Sequence, residues 1–243
     1  MNSHYERLTL LVATALPAVF LVAFFVLGRA IDWPNSLNGS AADYLPLVAA
    51  NADAVRLGYF FYFCASALWG VLAVLVTVWL GAARRPGLAV AAAVGLFAGL
   101  FKMLGIARWL EAMPLLAGSL STDPATTAIA YELLNDYAGV TLGEGIGVGL
   151  FTGLWFAAMA LASGPTEDAD DASLPAWLRC VFGLTALFSL AGFLELFGLR
   201  VGEIGMITGN LQYFSIWFLA GVIAWRRYGP LARPAPTPAP QGS

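Results

Sequence analysis

The chain has 243 residues, 60% of them hydrophobic and 11% charged, with a formal net charge of −3. Soluble domains carry about 25% charged residues, so this composition belongs to an integral membrane protein. The acidic balance, and the absence of any basic run interleaved with aromatics, exclude a nucleic-acid footprint.

About 20 helical residues cross a hydrocarbon core, and uncharged runs of that order set the expected elements. The first covers residues 8–28 behind Arg7. It is longer than a signal-peptide apolar region and no A-x-A-like site follows, so it is expected to remain as a span, with Pro17 as a candidate kink. The sole histidine, His4, precedes it, which removes His-ligated haem, multi-histidine metal centres and Ser-His-Asp triads from consideration. Residues 30–56 form a long connection with the turn signal Trp33-Pro34-Asn35, then Asp43 and Asp53. The second span is residues 57–83. The third, 86–101, is long enough only if the helix continues past Lys102. Asp123-Pro124 reads as an N-cap with proline at the first helical position. From Pro124 to Ser163 one unbroken helix would be about 60 Å long, twice the core, so it is expected to project from the membrane or bend near Gly139 and Gly143. Its lower part, 145–165, is the fourth span. The fifth, 180–194, must continue past Glu195, and the sixth is 204–225.

The expected fold is therefore an all-α polytopic membrane helix bundle with six transmembrane helices. One transmembrane domain occupies residues 1–229, and a disordered, proline-rich cytoplasmic tail occupies 230–243. Placing the N-terminus inside puts Arg7, Arg84, Arg85, Arg179, Arg226 and Arg227 on the cytoplasmic side, against Arg29, Arg56, Arg108 and Arg200 outside. The bias favours N-in/C-in. Cys64 and Cys180 fall near opposite ends of their spans, so no disulfide is expected, and no metal or cofactor spacing occurs.

Lys102, the only lysine, and Glu195 are charges inside spans, each costing at least ~2.5–3.5 kcal/mol near the bilayer centre. At 1.5 Å per residue, Lys102 lies about 25 Å above Arg85, Glu195 about 24 Å above Arg179, and Asn210 about 24 Å above Arg226. Glu144 lies about 28 Å from Ser163. Four polar groups on four helices thus reach one level in the outer half of the bilayer. Above it come Arg108 and Glu111, neighbours at i, i+3, and Glu132 and Asp136 at i, i+4, with Tyr59, Tyr62 and Ser66 of span 2 at similar depths. Glu195 and Glu144 are the candidate acid–base groups. Lys102, Arg108, Glu111, Glu132, Asp136, Asn210 and Tyr62 are the candidate ligand contacts. Each has a purely architectural alternative. Lys102 can snorkel to the headgroups or pair with Glu195 or Glu144. Arg108–Glu111 can be an interfacial pair, Glu132 and Asp136 a wet helix face, and Asn210 and Gln212 interhelical hydrogen bonds. Gly145, Gly149 and Gly153 form a double G-x-x-x-G, and Gly95/Gly99 another, which let helix backbones approach closely within the chain, in a homo-oligomer or with partner helices.

The stretch Asn51-Ala-Asp-Ala-Val-Arg-Leu-Gly-Tyr, the run Phe101-Lys102-Met103-Leu104, and the length and span count resemble a family of bacterial six-helix membrane proteins known as a domain of unknown function. The resemblance implies a bacterial inner-membrane protein and no activity. A more distant similarity is to the small integral-membrane terpene cyclases, which use acidic residues but typically have seven helices. Three functions fit the residues. The first is a pocket that binds or acid–base processes a membrane lipid or other lipophilic small molecule, with Lys102 and Arg108 holding an anionic head or an oxyanion. The second is a subunit or sensor for partner helices, and the third a proton- or ion-coupled transporter.

Overall fold

The computed structural model describes residues 3–165, 172–199 and 204–229. The acidic loop 167–171, Arg200, Glu203 and the tail from position 230 lie outside the described residues.

Among the described residues, five stretches are long and apolar enough to cross a membrane: His4–Ile31, Ala52–Trp79, Pro86–Ser119, Pro124–Ala162 and Ala176–Phe193. The protein is thus a multi-pass, all-α membrane protein. Helix α1 (Ser3–Ile31) runs unbroken through Pro17. After it the chain turns at Asp32–Asn38, as the Trp33-Pro34-Asn35 signal predicts, and enters the short helix α2 (Ala41–Ala50), capped by the Ser40 hydroxyl on the Asp43 amide. Next come α3 (Ala52–Trp79) and α4 (Pro86–Leu110). The side chain of Asn51 ties α1, α2 and α3 together, donating to Ala30 O and Leu47 O, both at 3.1 Å.

Beyond α4, backbone torsions of −135° and −55° at Glu111 break the helix, and α5 (Ala112–Ser119) starts in a new direction with Pro114 in its first turn, where a missing N–H costs nothing. Helix α6 (Pro124–Leu134) opens as expected, Asp123 accepting from the Thr126 amide at 3.2 Å with proline at the first position. Helices α2, α5 and α6 pack on one another and cover one end of the bundle.

The long stretch that α6 opens stays helical throughout, from Pro124 to Ala162. Residues Asn135–Phe151 wind as a π-helix, which passes without interruption into α7 (Thr152–Ala162). A wider turn advances less per residue, so the segment uses up length while staying helical. Its consequence for side-chain direction matters below. Helix α8 (Ala176–Phe193) ends in a tight turn, Leu194–Phe197, and α9 (Ile204–Tyr228), 25 residues long, closes the bundle against α1 and α8.

Four contacts gather at the end opposite α2. Arg227 pairs with Glu6 at 3.1 Å, Arg226 lies 5.8 Å from the Trp79 ring, Arg85 donates to Gly164 O and Arg179 to Ala160 O. Between the two ends runs a core built on Leu16, Trp69, Trp155, Phe156, Phe182 and Ile216. The outward face is also apolar, with Phe25, Phe60, Val90, Leu161 and Leu187 exposed, as an acyl-chain environment requires.

Candidate functional site

Small residues set where the π segment sits. A Cβ on Gly105 would meet Gly143 Cα at 2.5 Å, and one on Gly147 would meet Lys102 N at 2.8 Å, so this flank lies backbone-to-backbone on α4. On the other flank Gly145 faces Leu196, Gly149 faces the Phe193 backbone and Gly153 faces Leu190. The glycine faces are therefore taken up by the chain's own α4, α8 and the turn after it. Between the flanks, Val140, Glu144 and Val148 recur every fourth residue and line a cavity of about 540 Å³. Glu144 is half-buried there.

That cavity draws on α1, the turn after it, α3, α4, the π segment, α8 and α9. Of the residues singled out in the sequence, Tyr62, Lys102, Arg108, Glu144 and Asn210 line it, Asn210 at an exposed position. Glu111, Glu132 and Asp136 are exposed and do not line it. Glu195 sits in the Leu194–Phe197 turn, next to the cavity-lining Leu196, and its side chain lies outside what is described.

Lys102 does not snorkel. It is 2% exposed, its amine lies 3.7 Å from the centroid of the Trp69 ring, and it donates to Gln212 Oε1 at 3.2 Å. The snorkelling alternative fails because the side chain leaves α4 toward α3 and α9, where an indole face and an amide oxygen receive the ammonium inside the bundle. Among the described residues its hydrogen-bond acceptor is an amide, while the expected pairing with Glu195 falls on a side chain outside the described residues. Gln212 is itself a hub: its Nε2 donates to Val148 O at 3.1 Å and to Ser189 Oγ at 3.0 Å, joining α9 to the π segment and α8.

Arg108 lies about 9 Å further along α4 than Lys102. It does not form a surface pair with Glu111; it turns inward while the helix break carries Glu111 outward. Arg108 is 8% exposed and donates to Gly105 O and to Asn135 Oδ1, the latter at 3.1 Å. Gly139 makes room for the guanidinium, since a Cβ there would meet Arg108 Nη2 at 2.2 Å. Asn135 also donates to Leu37 O at 2.9 Å, and the Tyr131 hydroxyl to Gly39 O at 3.3 Å, which fixes the turn after α1 over the cavity. From that turn Trp33 packs edge-on against Phe20, Phe24 and Tyr62, with centroids 5.7–6.0 Å apart, and Phe20 stacks on Tyr213 at 3.6 Å. The cavity thus has an aromatic wall from α1, α3 and α9 facing a polar wall from α4 and the π segment.

Four lining side chains carry a buried nitrogen or oxygen with no hydrogen-bond partner among the described residues: Trp33 Nε1, Tyr59 Oη, Arg108 Nε and Trp109 Nε1. Tyr59 stacks on Trp109 with centroids 4.7 Å apart. Sequence reading places Tyr59 at the depth of Tyr62 and reads Gln212 as an interhelical hydrogen-bonding group, but it does not single out Trp109. Trp109 looks like an ordinary membrane-belt aromatic in a sequence, and only the fold turns it inward. Among the described residues no cluster of three or more His, Cys, Asp or Glu could hold a metal ion, and Cys64 and Cys180 are free thiols.

Residues 9–225 match the family described as Domain of unknown function (DUF4386). No curated protein and no solved structure matches the chain.

Proposed function

The chain belongs to this family of unknown function, and from that premise we propose that it binds, or processes by acid–base chemistry, a lipophilic small molecule within the bundle. The observation that carries the reading is one cavity lined both by Lys102, Arg108 and Glu144 and by Phe20, Phe24, Trp33, Tyr62 and Tyr213. Charges kept inside a membrane bundle at such cost mark functional positions by default. A volume of about 540 Å³ is within the range of small-molecule sites, mostly apolar with a few convergent polar groups. In this reading Glu144, with Glu195, is the proton-exchanging group, and Arg108 and Asn210 orient the polar end of the ligand. Lys102 sets the charge of the wall from its seat on Trp69.

Glu144→Gln and Arg108→Met should leave the purified protein folded and remove the lipophilic molecule that native mass spectrometry detects on the wild type. Wild-type occupancy in both variants would end the reading.

In the same proposal α9 is a sixth span, the cavity lies in the outer half of a bacterial inner membrane, and both termini face the cytoplasm. Support comes from the arginines Arg85, Arg179, Arg226 and Arg227, which meet at one end of the bundle. Single cysteines placed at position 2 and after position 229, in a Cys64→Ser/Cys180→Ser background, should both resist a membrane-impermeant maleimide in intact cells. Labelling of one terminus but not the other would rule out six spans.

A further inference from the structure

The unmet hydrogen-bonding groups at the cavity are all able to donate, and three are concentrated at one place. Arg108 Nε, Tyr59 Oη and Trp109 Nε1 belong to residues that are 8%, 1% and 0% exposed. Tyr59 and Trp109 stack on each other, and the Arg108 guanidinium lies 5.5 Å from the Trp109 ring. Buried donors left without acceptors cost about 1–3 kcal/mol each, more when charged, so this cluster is built around something that accepts. Its cation is held side-on by Gly105 O and Asn135 Oδ1, which fixes the plane of the fork and leaves Nε unpartnered. A fixed guanidinium edge flanked by a phenol and an indole N–H suits an oxygen of a carboxylate or phosphate. Lys102 does not belong to this cluster, because its ammonium is already received by Gln212 and Trp69. Next to the cluster, Phe20, Phe24, Tyr62 and Tyr213 supply an apolar wall with room for a hydrocarbon chain.

We propose that Arg108, Tyr59 and Trp109 form a head-group subsite for an oxyanion, and that the ligand is a single-chain amphiphile with a carboxylate or phosphate monoester head and its chain along the aromatic wall. This rests on the proposed lipophilic pocket and adds the chemical class of its occupant.

Four probes test it on the purified full chain in detergent, read by tryptophan fluorescence and confirmed by native mass spectrometry: dodecanoate, dodecyl phosphate, dodecanol and inorganic phosphate. Both anionic amphiphiles should bind at least about tenfold more tightly than dodecanol, as a charge-assisted hydrogen bond provides. Arg108→Met should erase that preference while dodecanol binding persists. Tyr59→Phe, which keeps the stack on Trp109, should reduce it several-fold and decides the matter if Arg108→Met does not fold. Equal binding of dodecanol and dodecanoate would overturn the oxyanion subsite and leave the lipophilic pocket standing. Inorganic phosphate binding as tightly as dodecyl phosphate would overturn the amphiphile. No binding of any chain-bearing probe would overturn the pocket as well.

Discussion

Replacing Gly105 by valine is expected to cost about 3 kcal/mol or more, the upper end of what overpacked interiors show. The position has no soft neighbour to push aside. A Cβ there would stand 2.5 Å from Gly143 Cα, 3.0 Å from Ala138 O and 3.1 Å from Gly143 N, all backbone atoms. Relief would require α4 and the π segment to separate, which would pull Arg108 from Asn135 and open the cavity wall. Thermal unfolding of the purified protein in detergent measures this. Gly118→Val is the matched control, since nothing lies within 4 Å of its Cβ, and it should change stability far less. If both valines are tolerated alike, the close crossing of α4 and the π segment is wrong.

Gln212→Leu should destabilise by about 3 kcal/mol, because it removes the hydrogen-bond acceptor from a buried ammonium and leaves the faces of Trp69 and Tyr213 to receive it. The informative comparison is the double variant. Lys102→Met with Gln212→Leu replaces both partners by apolar groups of similar size, and such exchanges inside proteins are often nearly neutral. The double variant should therefore be more stable than Gln212→Leu alone, although it carries one more change. A double variant that loses the sum of the two single losses would mean that Lys102 and Gln212 do not act as a pair.

Sequence reading went far with this fold because membrane helices are written in runs of apolar residues, and five such runs return as helices that can span. Local chemistry was equally readable: Asp123-Pro124 is a helix start, and Trp33-Pro34-Asn35 a turn. The Asn51 stretch has a reason that only the fold supplies. Asn51 joins three helices, Gly58 admits Leu27, with Cδ2 2.6 Å from where a Cβ would stand, and Tyr59 enters the cavity. Depth counting along straight helices placed Lys102, Glu144 and Asn210 at one level, and all three line the cavity. The same counting grouped Glu111, Glu132 and Asp136 with them, although they are exposed. Depth along an axis carries no information about direction around it. Direction was lost at two places: the backbone break at Glu111, which has no composition signal, and the π winding, which shifts every side chain from the 3.6-residue period that sequence patterns assume.

That winding sorts three stripes of residues at intervals of four. Gly139, Gly143 and Gly147 face α4 and its side chains, Gly145, Gly149 and Gly153 face α8 and the turn after it, and Val140, Glu144 and Val148 look into the cavity. Such a segment is keyed by its length as much as by its composition. Losing one residue near Ala138 would bring Glu144 to the place of Gly143, where a backbone lies in contact, and Ile146 to the place of Gly145, while Gly145 would take the place of the carboxylate. Substitutions there can be graded one atom at a time, but a change of reading length cannot: it would exchange all three stripes at once.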